Sequence, residues 1–250
     1  MSEPRLTAVT VSLVVGPQVR RASKSLERFS SSIRHLVWEQ PNPVVGLIHG
    51  LNRAIAQVTT PYFMILHEDM TMGEAPDDFV DRILSRLDDP TVGIVAPRLS
   101  AGPPQQVQRY LSDPVVPNVG HEGLTMSTAL YRRLGGLDEM FDIPTEDELF
   151  TSMYDDAEFG VRAALAGFKT VVAHDLELWH DGRQMSSRIT GEDYTRIEAV
   201  CLLRLYLKHG AGALTKHFGW QTGWIKEAGV AVGSTPHRSI VGVVPELSHV

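Results

Sequence analysis

Residues Tyr62–Met72, with the sequence YFMILHEDMTM, decide the predicted fold because an apolar run ends here abruptly in charged side chains. The five apolar residues from Tyr62 to Leu66 are too few for a buried helix, and they fit a strand that is covered on both faces. Such strands are typical of proteins in which helices flank a central sheet. We therefore predict a central strand here, followed by a loop that begins at His67.

The other patterns along the chain support an α/β fold. Runs of β-branched residues predict strands, and apolar residues at helical spacing predict helices. The predicted strands are Ala8–Val15, Ile33–Trp38, Val92–Ala96 and Phe168–Ala173, and the predicted helices are Val19–Phe29, Gly46–Val58, Asp77–Leu87, Asp156–Ala166 and Ile197–Lys208. Residues 124 to 134 are expected to form a strand and then the start of a helix. Pro97 is expected to close its strand, and the proline-rich residues 100 to 120 are expected to form a long functional loop.

The composition describes a globular protein and excludes several classes. Of the 250 residues, 43% are apolar, which is ample for a core, and no segment reaches the length of about 18 apolar residues that crosses a bilayer. Any membrane contact is therefore expected to be peripheral. The net charge of -7 and the absence of a basic run argue against a nucleic-acid partner.

Cysteine content and the N-terminal sequence both indicate the cytoplasm. Cys201 is the only cysteine, so the chain forms neither an intramolecular disulfide nor a cysteine zinc cluster. The N-terminal apolar run of about nine residues is too short and too rich in β-branched residues for a signal helix. Cytoplasmic localisation is the expectation that follows.

Charged side chains follow the ends of predicted strands. Glu68 and Asp69 come after the central strand, and Glu39 follows an earlier one. Ligands of open α/β sheets bind at the carboxyl ends of the strands, so these carboxylates are candidate ligand groups. A solvated turn for the first pair and a surface glutamate for the last are the ordinary structural alternatives.

A second group of candidate residues comes later in the chain. Asp155, Asp156 and Glu158 lie at a predicted helix start, and His180 follows the last predicted strand. Carboxylate oxygens and imidazole nitrogens are ligands for Mg²⁺ or Mn²⁺, and a carboxylate held away from the ion can act as a general base. Sequence spacing alone does not show that these groups meet.

The order of motifs resembles the inverting nucleotide-sugar glycosyltransferases of the GT-A type, family 2, near their rhamnosyltransferase-like branch. The resemblance covers roughly residues 8 to 185. Its pieces are AVTVSLVV, GLIHGLNRAIAQV ahead of YFMILHED, VGIVAPRL, LYRRLGGLDEMFD, YDDAEFGVRAALAGFKTVV and LELWHDG. It implies a Rossmann-like mixed sheet flanked by helices in one catalytic domain over residues 1–190, with a helical extension and tail over residues 191–250.

The resemblance also implies roles for single residues. His67-Glu68-Asp69 occupies the place of the family's Asp-x-Asp motif, so Asp69 would bind the divalent ion on the sugar diphosphate, with His67 in place of the first acid. His180 matches the histidine that completes the metal site. Asp155-Asp156-Ala157-Glu158 resembles the family's Glu-Asp-x-Asp motif, whose second acid is the catalytic base, so Asp156 would be the base. Glu39 and Asn52 match positions that face the nucleotide sugar.

The implied activity is transfer of a hexosyl or deoxyhexosyl group, with inversion, from a UDP-, dTDP- or GDP-sugar to a hydroxyl of a saccharide, lipid-linked or small-molecule acceptor. Mg²⁺ or Mn²⁺ is the implied cofactor. Two departures from the family are the short connection between Trp38 and Gly46 and the Glu158 that replaces the motif's second Asp. One alternative is a catalytically silent GT-A-like domain that binds a glycan or protein. Another is a nucleotidyltransferase, which would need a glycine-rich phosphate loop after the first strand, whereas Val15-Gly16-Pro17-Gln18 contains one glycine.

Overall fold

The computed structural model describes residues 3–13, 15–41, 45–144, 150–182 and 191–217, and its centre is an eight-stranded mixed sheet. The strands are β1 (Leu6–Ser12), β2 (Ile33–Glu39), β3 (Tyr62–Ile65), β4 (Met70–Thr71), β5 (Val92–Leu99), β6 (Val115–Val116), β7 (Thr125–Ser127), β8 (Ile143–Pro144), β9 (Phe150–Thr151) and β10 (Lys169–His180). Across the sheet the order is β2-β1-β3-β7-β5-β10-β4, while β6 also pairs with β10 and the short strands β8 and β9 pair with each other. The predicted mixed sheet is confirmed.

Helices cover both faces of this sheet. They are α1 (Pro17–Leu26), α2 (Leu47–Ala56), α3 (Phe79–Ser85), α4 (Pro104–Val107), α5 (Thr128–Leu134), α6 (Asp155–Leu165) and α7 (Gly191–His217). Buried residues of α1 and α3 form one core cluster with the sheet, and those of α2, α5 and α6 form a second. Within the described ranges, no helix is both long and apolar enough to cross a bilayer.

The predicted central strand is β3, which lies beside β1 in the middle of the sheet. The two strands are parallel, with Ala8 aligned to Met64 and Val9 aligned to Ile65. Successive side chains of a strand point to opposite faces. Ala8 and Met64 accordingly pack under α1 and α3, while Val9 and Ile65 pack under α2 and α5. Burial on both faces explains the continuous apolar run that ends at Leu66.

Two strands are longer than predicted. β5 continues through Pro97 to Leu99, and β10 is one strand to His180 although the sequence predicts its end at Ala173. Pro97 aligns with Ala173, where the register of the two strands shifts. A proline, which lacks an N–H, is tolerated at such a bulge. Because of this irregularity, the sequence pattern does not show that both strands continue beyond this point.

The predicted long loop also contains short regular elements. Residues 100 to 120 include the helix α4 and the strand β6, which pairs with β10. Gln106 of α4 is fully buried and fixes the end of this segment. Its side chain donates to the carbonyl of Glu122 at 2.8 Å and accepts from the amide of Gly120 at 2.7 Å. Both residues adjoin His121, so this segment positions a side chain of the candidate site.

Helix α7 packs against α6 through a third core cluster. Ile197, Cys201 and Leu205 of α7 are buried there with Phe141 and Val161. The helix begins before the predicted start at Ile197, and it is interrupted at Gly210, where it was predicted to end and where the backbone is not helical (φ 72°, ψ 157°). The patternless tail predicted from Gly229 onward lies outside the described residues.

Candidate functional site

The two predicted metal ligands, Asp69 and His180, meet at the carboxyl edge of the sheet, and His67 lies beside them. His67 and Asp69 follow β3, and His180 ends β10. Antiparallel pairing of β4 with β10 aligns Met70 with His180, and the amide of Asp181 donates to the carbonyl of Asp69 at 3.1 Å. These backbone contacts explain why residues more than one hundred positions apart share one site.

His67, Asp69 and His180 form a group that fits a divalent cation. Each offers one ligand atom, and the three atoms lie within 4.8 Å of one another. His180 Nε2 is 3.4 Å from Asp69 Oδ1, while its Nδ1 lies 2.7 Å from the carbonyl oxygen of Ala101. A backbone acceptor at one ring nitrogen is the usual arrangement behind a metal-binding histidine, because it leaves the other nitrogen for the ion.

His67 has a corresponding arrangement. Its Nδ1 lies 3.9 Å from Glu122 Oε1. Its Nε2 is buried and, among the described residues, has no hydrogen-bond partner. A buried polar atom without a partner is costly, so this nitrogen is suited to an external ligand. The donor set therefore fits the divalent ion that the resemblance implies.

The protonation preferences of His67 and Asp69 suit cation binding, whereas His180 would give up a proton to a bound ion. Burial lowers the pKa of His67, which favours the neutral imidazole that a metal requires. Burial opposes ionisation of Asp69, but the hydrogen bond and charge of His180 outweigh it and hold the pKa of Asp69 below its usual value. For His180, burial is likewise outweighed by Asp69, which raises the pKa of that histidine.

The predicted base, Asp156, lies in the first turn of α6. Burial, and then the negative charge of Asp155, raise its pKa to about 7, while His121 acts in the opposite direction. Asn118 Nδ2 is 3.4 Å from Asp156 Oδ2. The residue that precedes the helix, Tyr154, has a left-handed φ of 62°, which is uncommon for a side chain of this size.

Close approach of the preceding loop to α6 depends on Gly160. A Cβ atom at this position would lie 2.9 Å from the carbonyl oxygen of Pro117 and 3.0 Å from the Cβ of Asn118. Any side chain would therefore push the loop outward. Glycine at 160 lets Asn118 reach Asp156.

His121 is a site residue that the sequence did not indicate. Its Nε2 lies 2.7 Å from Asp155 Oδ2, and both side chains are more than 90% buried. The two atoms are close enough for an ion pair, although they do not align as a hydrogen bond. Despite burial, the charge of Asp155 raises the pKa of His121 to about 9. The only sequence signal is a polar pair, His121-Glu122, that is bracketed by Gly120 and Gly123.

His121 also connects the two parts of the site. Its ring centroid is 6.4 Å from that of His67, which is 6.4 Å from that of His180. The buried imidazole of His121 therefore lies close both to the metal-ligand group and to the acidic start of α6. His67, Asp69 and His180 lie together, and Asp156 is close enough to His121 for its charge to act on that carboxyl, while the roles of these residues remain predictions.

Two other predicted residues lie at the ends of neighbouring strands. Glu39 is exposed at the end of β2, aligned with Ser12 of β1. Glu68 follows β3 and accepts a hydrogen bond from the hydroxyl of Ser12. Both carboxylates thus lie near the end of β1, on the part of the sheet edge where β2, β1 and β3 are neighbours. Their contacts with a nucleotide remain predictions.

Asn52 and Glu158 make internal contacts. Asn52 on α2 donates to the carbonyl of Leu137 at 2.9 Å and accepts from the Leu137 amide at 3.0 Å and from the Tyr131 hydroxyl at 2.6 Å. It thereby holds the loop after α5, and its role toward a donor stays a prediction. Glu158 is completely buried and pairs with Arg162 at 2.7 Å. The last acid of the Glu-Asp-x-Asp-like motif therefore faces the protein interior.

No protein-family model and no curated protein matches the sequence. Solved structures do match. A mannosyltransferase from Pyrobaculum calidifontis, in complex with GDP-Man and Mn²⁺, shares 13% identity at a TM-score of 0.57, over 98% of this chain and 80% of that one. Residues 1–349 of S. aureus TarS, in complex with UDP-GlcNAc, share 11% identity with this chain at a TM-score of 0.60. The match covers 95% of this chain and 79% of that one.

A third similar structure is GalNAc-T7 with UDP, GalNAc and Mn²⁺, at 10% identity and a TM-score of 0.53 over 90% of this chain. The chain spans 55% of the length of that protein and 50% of the longer TarS structure. At these identities the likeness establishes the fold. The protein has the GT-A-type glycosyltransferase fold.

Proposed function

We propose that the protein is a metal-dependent, inverting glycosyltransferase that moves a sugar from a nucleoside-diphosphate sugar to an acceptor hydroxyl. The observation that carries the proposal is that the buried imidazole of His121 lies close to His67, a member of the group His67, Asp69 and His180, and also affects Asp156 through its charge. A cation site and a carboxylate of raised pKa at the carboxyl edge of one sheet are the two parts that this reaction needs.

Asp156 is the base in this proposal. The acceptor oxygen attacks the anomeric carbon from the face opposite the diphosphate, its proton passes to a carboxylate oxygen of Asp156, and the nucleoside diphosphate leaves with the bonding electron pair. A pKa of about 7 suits this task, because a base is most effective when its pKa lies near the working pH. Asn118 would hold the carboxylate in place.

His67, Asp69 and His180 are the residues that would hold Mg²⁺ or Mn²⁺. When bound, the ion supplies neutralisation of the charge that develops on the diphosphate as the glycosidic bond breaks. Glu68 and Glu39, which lie beside Ser12, are the residues that we propose for contacts with the nucleotide. Asn52 would affect donor binding indirectly, through the loop after α5 that it holds.

The finer assignments rest on the order of motifs. This order supports family 2, near the rhamnosyltransferase-like branch, with a UDP-, dTDP- or GDP-linked hexose or deoxyhexose as donor. Bound GDP-Man and UDP-GlcNAc in structurally similar proteins support the same class of donor. Saccharide, lipid-linked and small-molecule hydroxyls are the acceptor classes, and the cytoplasm is the proposed location.

Calorimetric titration of UDP-, dTDP- and GDP-sugars in the presence of Mn²⁺, followed by a transfer assay, tests this function. We expect at least one donor to bind and to be consumed in a manner that requires Asp156. A catalytically silent domain is the second candidate, favoured by the short connection between Trp38 and Gly46. Donor binding without turnover would support that candidate, and no binding to any donor would contradict the enzyme.

A further inference from the structure

His67 distinguishes this site from the family's Asp-x-Asp motif, because the motif has an acid at this position and the chain has an imidazole. The three candidate ligands are therefore two histidines and one aspartate. Both imidazoles have an acceptor near Nδ1, which is the Ala101 carbonyl for His180 and the Glu122 carboxylate for His67. The hydrogen-bond distance of 2.7 Å to Ala101 leaves Nε2 of His180 for the ion, whereas Glu122 lies 3.9 Å from Nδ1 of His67, and the buried Nε2 of His67 has no partner in the described part of the chain.

Exchange of a carboxylate for an imidazole changes which ion a site prefers. Mg²⁺ and Ca²⁺ are hard ions that take oxygen ligands, whereas imidazole suits first-row transition metals. Two histidines and one carboxylate are a known set for divalent transition metals with open coordination positions. With one carboxylate the set also carries a single negative charge, which weakens its attraction for a hard ion.

We infer that His67 is a metal ligand and that it makes the site selective for transition-metal ions such as Mn²⁺ and Co²⁺ over Mg²⁺. The inference rests on the proposed function only in its assumption that a divalent cation binds here. Glu122 is a positioning residue in this arrangement, since its carboxylate faces the far side of the His67 ring. Partners of this kind change metal affinity by about 10- to 100-fold.

A second group of potential ligands in the described residues does not compete. Asp113, His174 and Asp175 also lie close together. Arg86 pairs with Asp113 at 2.8 Å and Arg82 pairs with Asp175, so the charges of both carboxylates are already balanced by guanidinium groups. A cation placed there would be repelled by the two arginines. His174→Ala is consequently a matched control for removal of one histidine.

Metal binding without donor or acceptor tests the inference separately from catalysis. The full chain, stripped of metal, is titrated with Mn²⁺, Mg²⁺ and Co²⁺, and Mn²⁺ bound to histidine-labelled protein is examined by pulsed electron paramagnetic resonance for coupled imidazole nitrogens. We expect two coupled imidazoles in the wild type, one in His67→Asp, and two in His174→Ala. We also expect His67→Asp to lower the preference for Mn²⁺ over Mg²⁺ by about tenfold or more.

Fewer than two coupled imidazoles in the wild type, or equal affinity for Mn²⁺ and Mg²⁺, would overturn the inference, as would absence of Mn²⁺ binding. The wild-type spectrum decides the matter even if His67→Asp does not fold. Selective Mn²⁺ binding through two imidazoles, together with no donor turnover, would contradict only the proposed function. Donor turnover with Mg²⁺ bound as tightly as Mn²⁺ would contradict only the role of His67.

Discussion

The Nε2 atom of His121 lies 2.7 Å from the Oδ2 atom of Asp155, and this buried pair is the immediate electrostatic environment of Asp156. Negative Asp155 disfavours a second negative charge on Asp156, and protonated His121 offsets that repulsion. Glu122 adds a further negative charge nearby. His121 therefore keeps the proposed base able to ionise near neutral pH.

Replacement His121→Gln removes this positive charge and retains a polar side chain. The pKa of Asp156 should then rise above about 7, and a rise of about one unit lowers the ionised fraction at pH 7 from about one half to about one tenth, so kcat/KM at pH 7 should fall by about fivefold. Because the base is intact, the rate should recover as the pH is raised. The measurement is the pH profile of kcat/KM, with His49→Gln, at the partly exposed pair with Glu139, as the control. An acid limb at the wild-type position would contradict this role.

Replacement Asp156→Asn should remove transfer and leave donor binding nearly intact. Loss of a general base lowers the rate by about 100-fold or more, whereas the nucleotide contacts and the metal ligands are elsewhere. Calorimetry with the donor and single-turnover transfer measure the two effects separately. Transfer at a rate near that of the wild type would show that another group accepts the proton.

The same variant should also be more stable than the wild type at alkaline pH. The pKa of Asp156 is higher in the folded protein, about 7, than the value of 3.8 expected without the fold, so the folded state holds this proton more tightly. Its contribution to stability is present below about pH 4 and is lost as the pH rises through about 7. Urea unfolding at pH 4 and pH 8 should show a gain for Asp156→Asn only at pH 8. An equal effect at both values would exclude this cause.

Replacement Gly160→Ala should disturb the base from a distance. The added Cβ would lie 2.9 Å from the Pro117 carbonyl, so the loop that carries Asn118 must move. Overpacking lowers the free energy of unfolding by about 1 to 3 kcal/mol, and the better helix propensity of alanine offsets about 1 kcal/mol of this loss. We expect a small loss of stability but a clear fall in kcat. Gly73→Ala, where no atom lies within 4 Å, is the control and should change neither quantity.

The sequence predicted those parts of the site that follow regular elements. β3 was evident because burial on both faces gives a continuous apolar run, and His67 and Asp69 follow directly from its end. Asp156 was evident as an acid at the start of an amphipathic helix. The meeting of Asp69 with His180 came from the resemblance, since only the pairing of β4 with β10 brings them together.

His121 and Asn118 could not be predicted, because they lie in a segment without periodicity. Their positions are set by tertiary contacts that leave no local pattern, namely the buried Gln106 and the absence of a side chain at Gly160. The longer strand β5 was missed for a related reason. Pro97 is a strand breaker by its own chemistry, and only the neighbouring bulge in β10 makes it acceptable.

Glu158 gives the last prediction, since it ties the helix of the proposed base to the C-terminal helix. Its carboxylate is completely buried and pairs with Arg162, with Lys208 at 2.9 Å and with His209 at 3.0 Å. Replacement Glu158→Gln leaves the largely buried guanidinium of Arg162 without its carboxylate partner, whereas exposed Lys208 keeps Asp138, so the cost should be up to about 3 to 5 kcal/mol. Urea unfolding measures the loss, and Asp88→Asn at an exposed position should stay within about 0.5 kcal/mol of the wild type. A Glu158→Gln variant as stable as that control would mean that α7 is held by its apolar face alone.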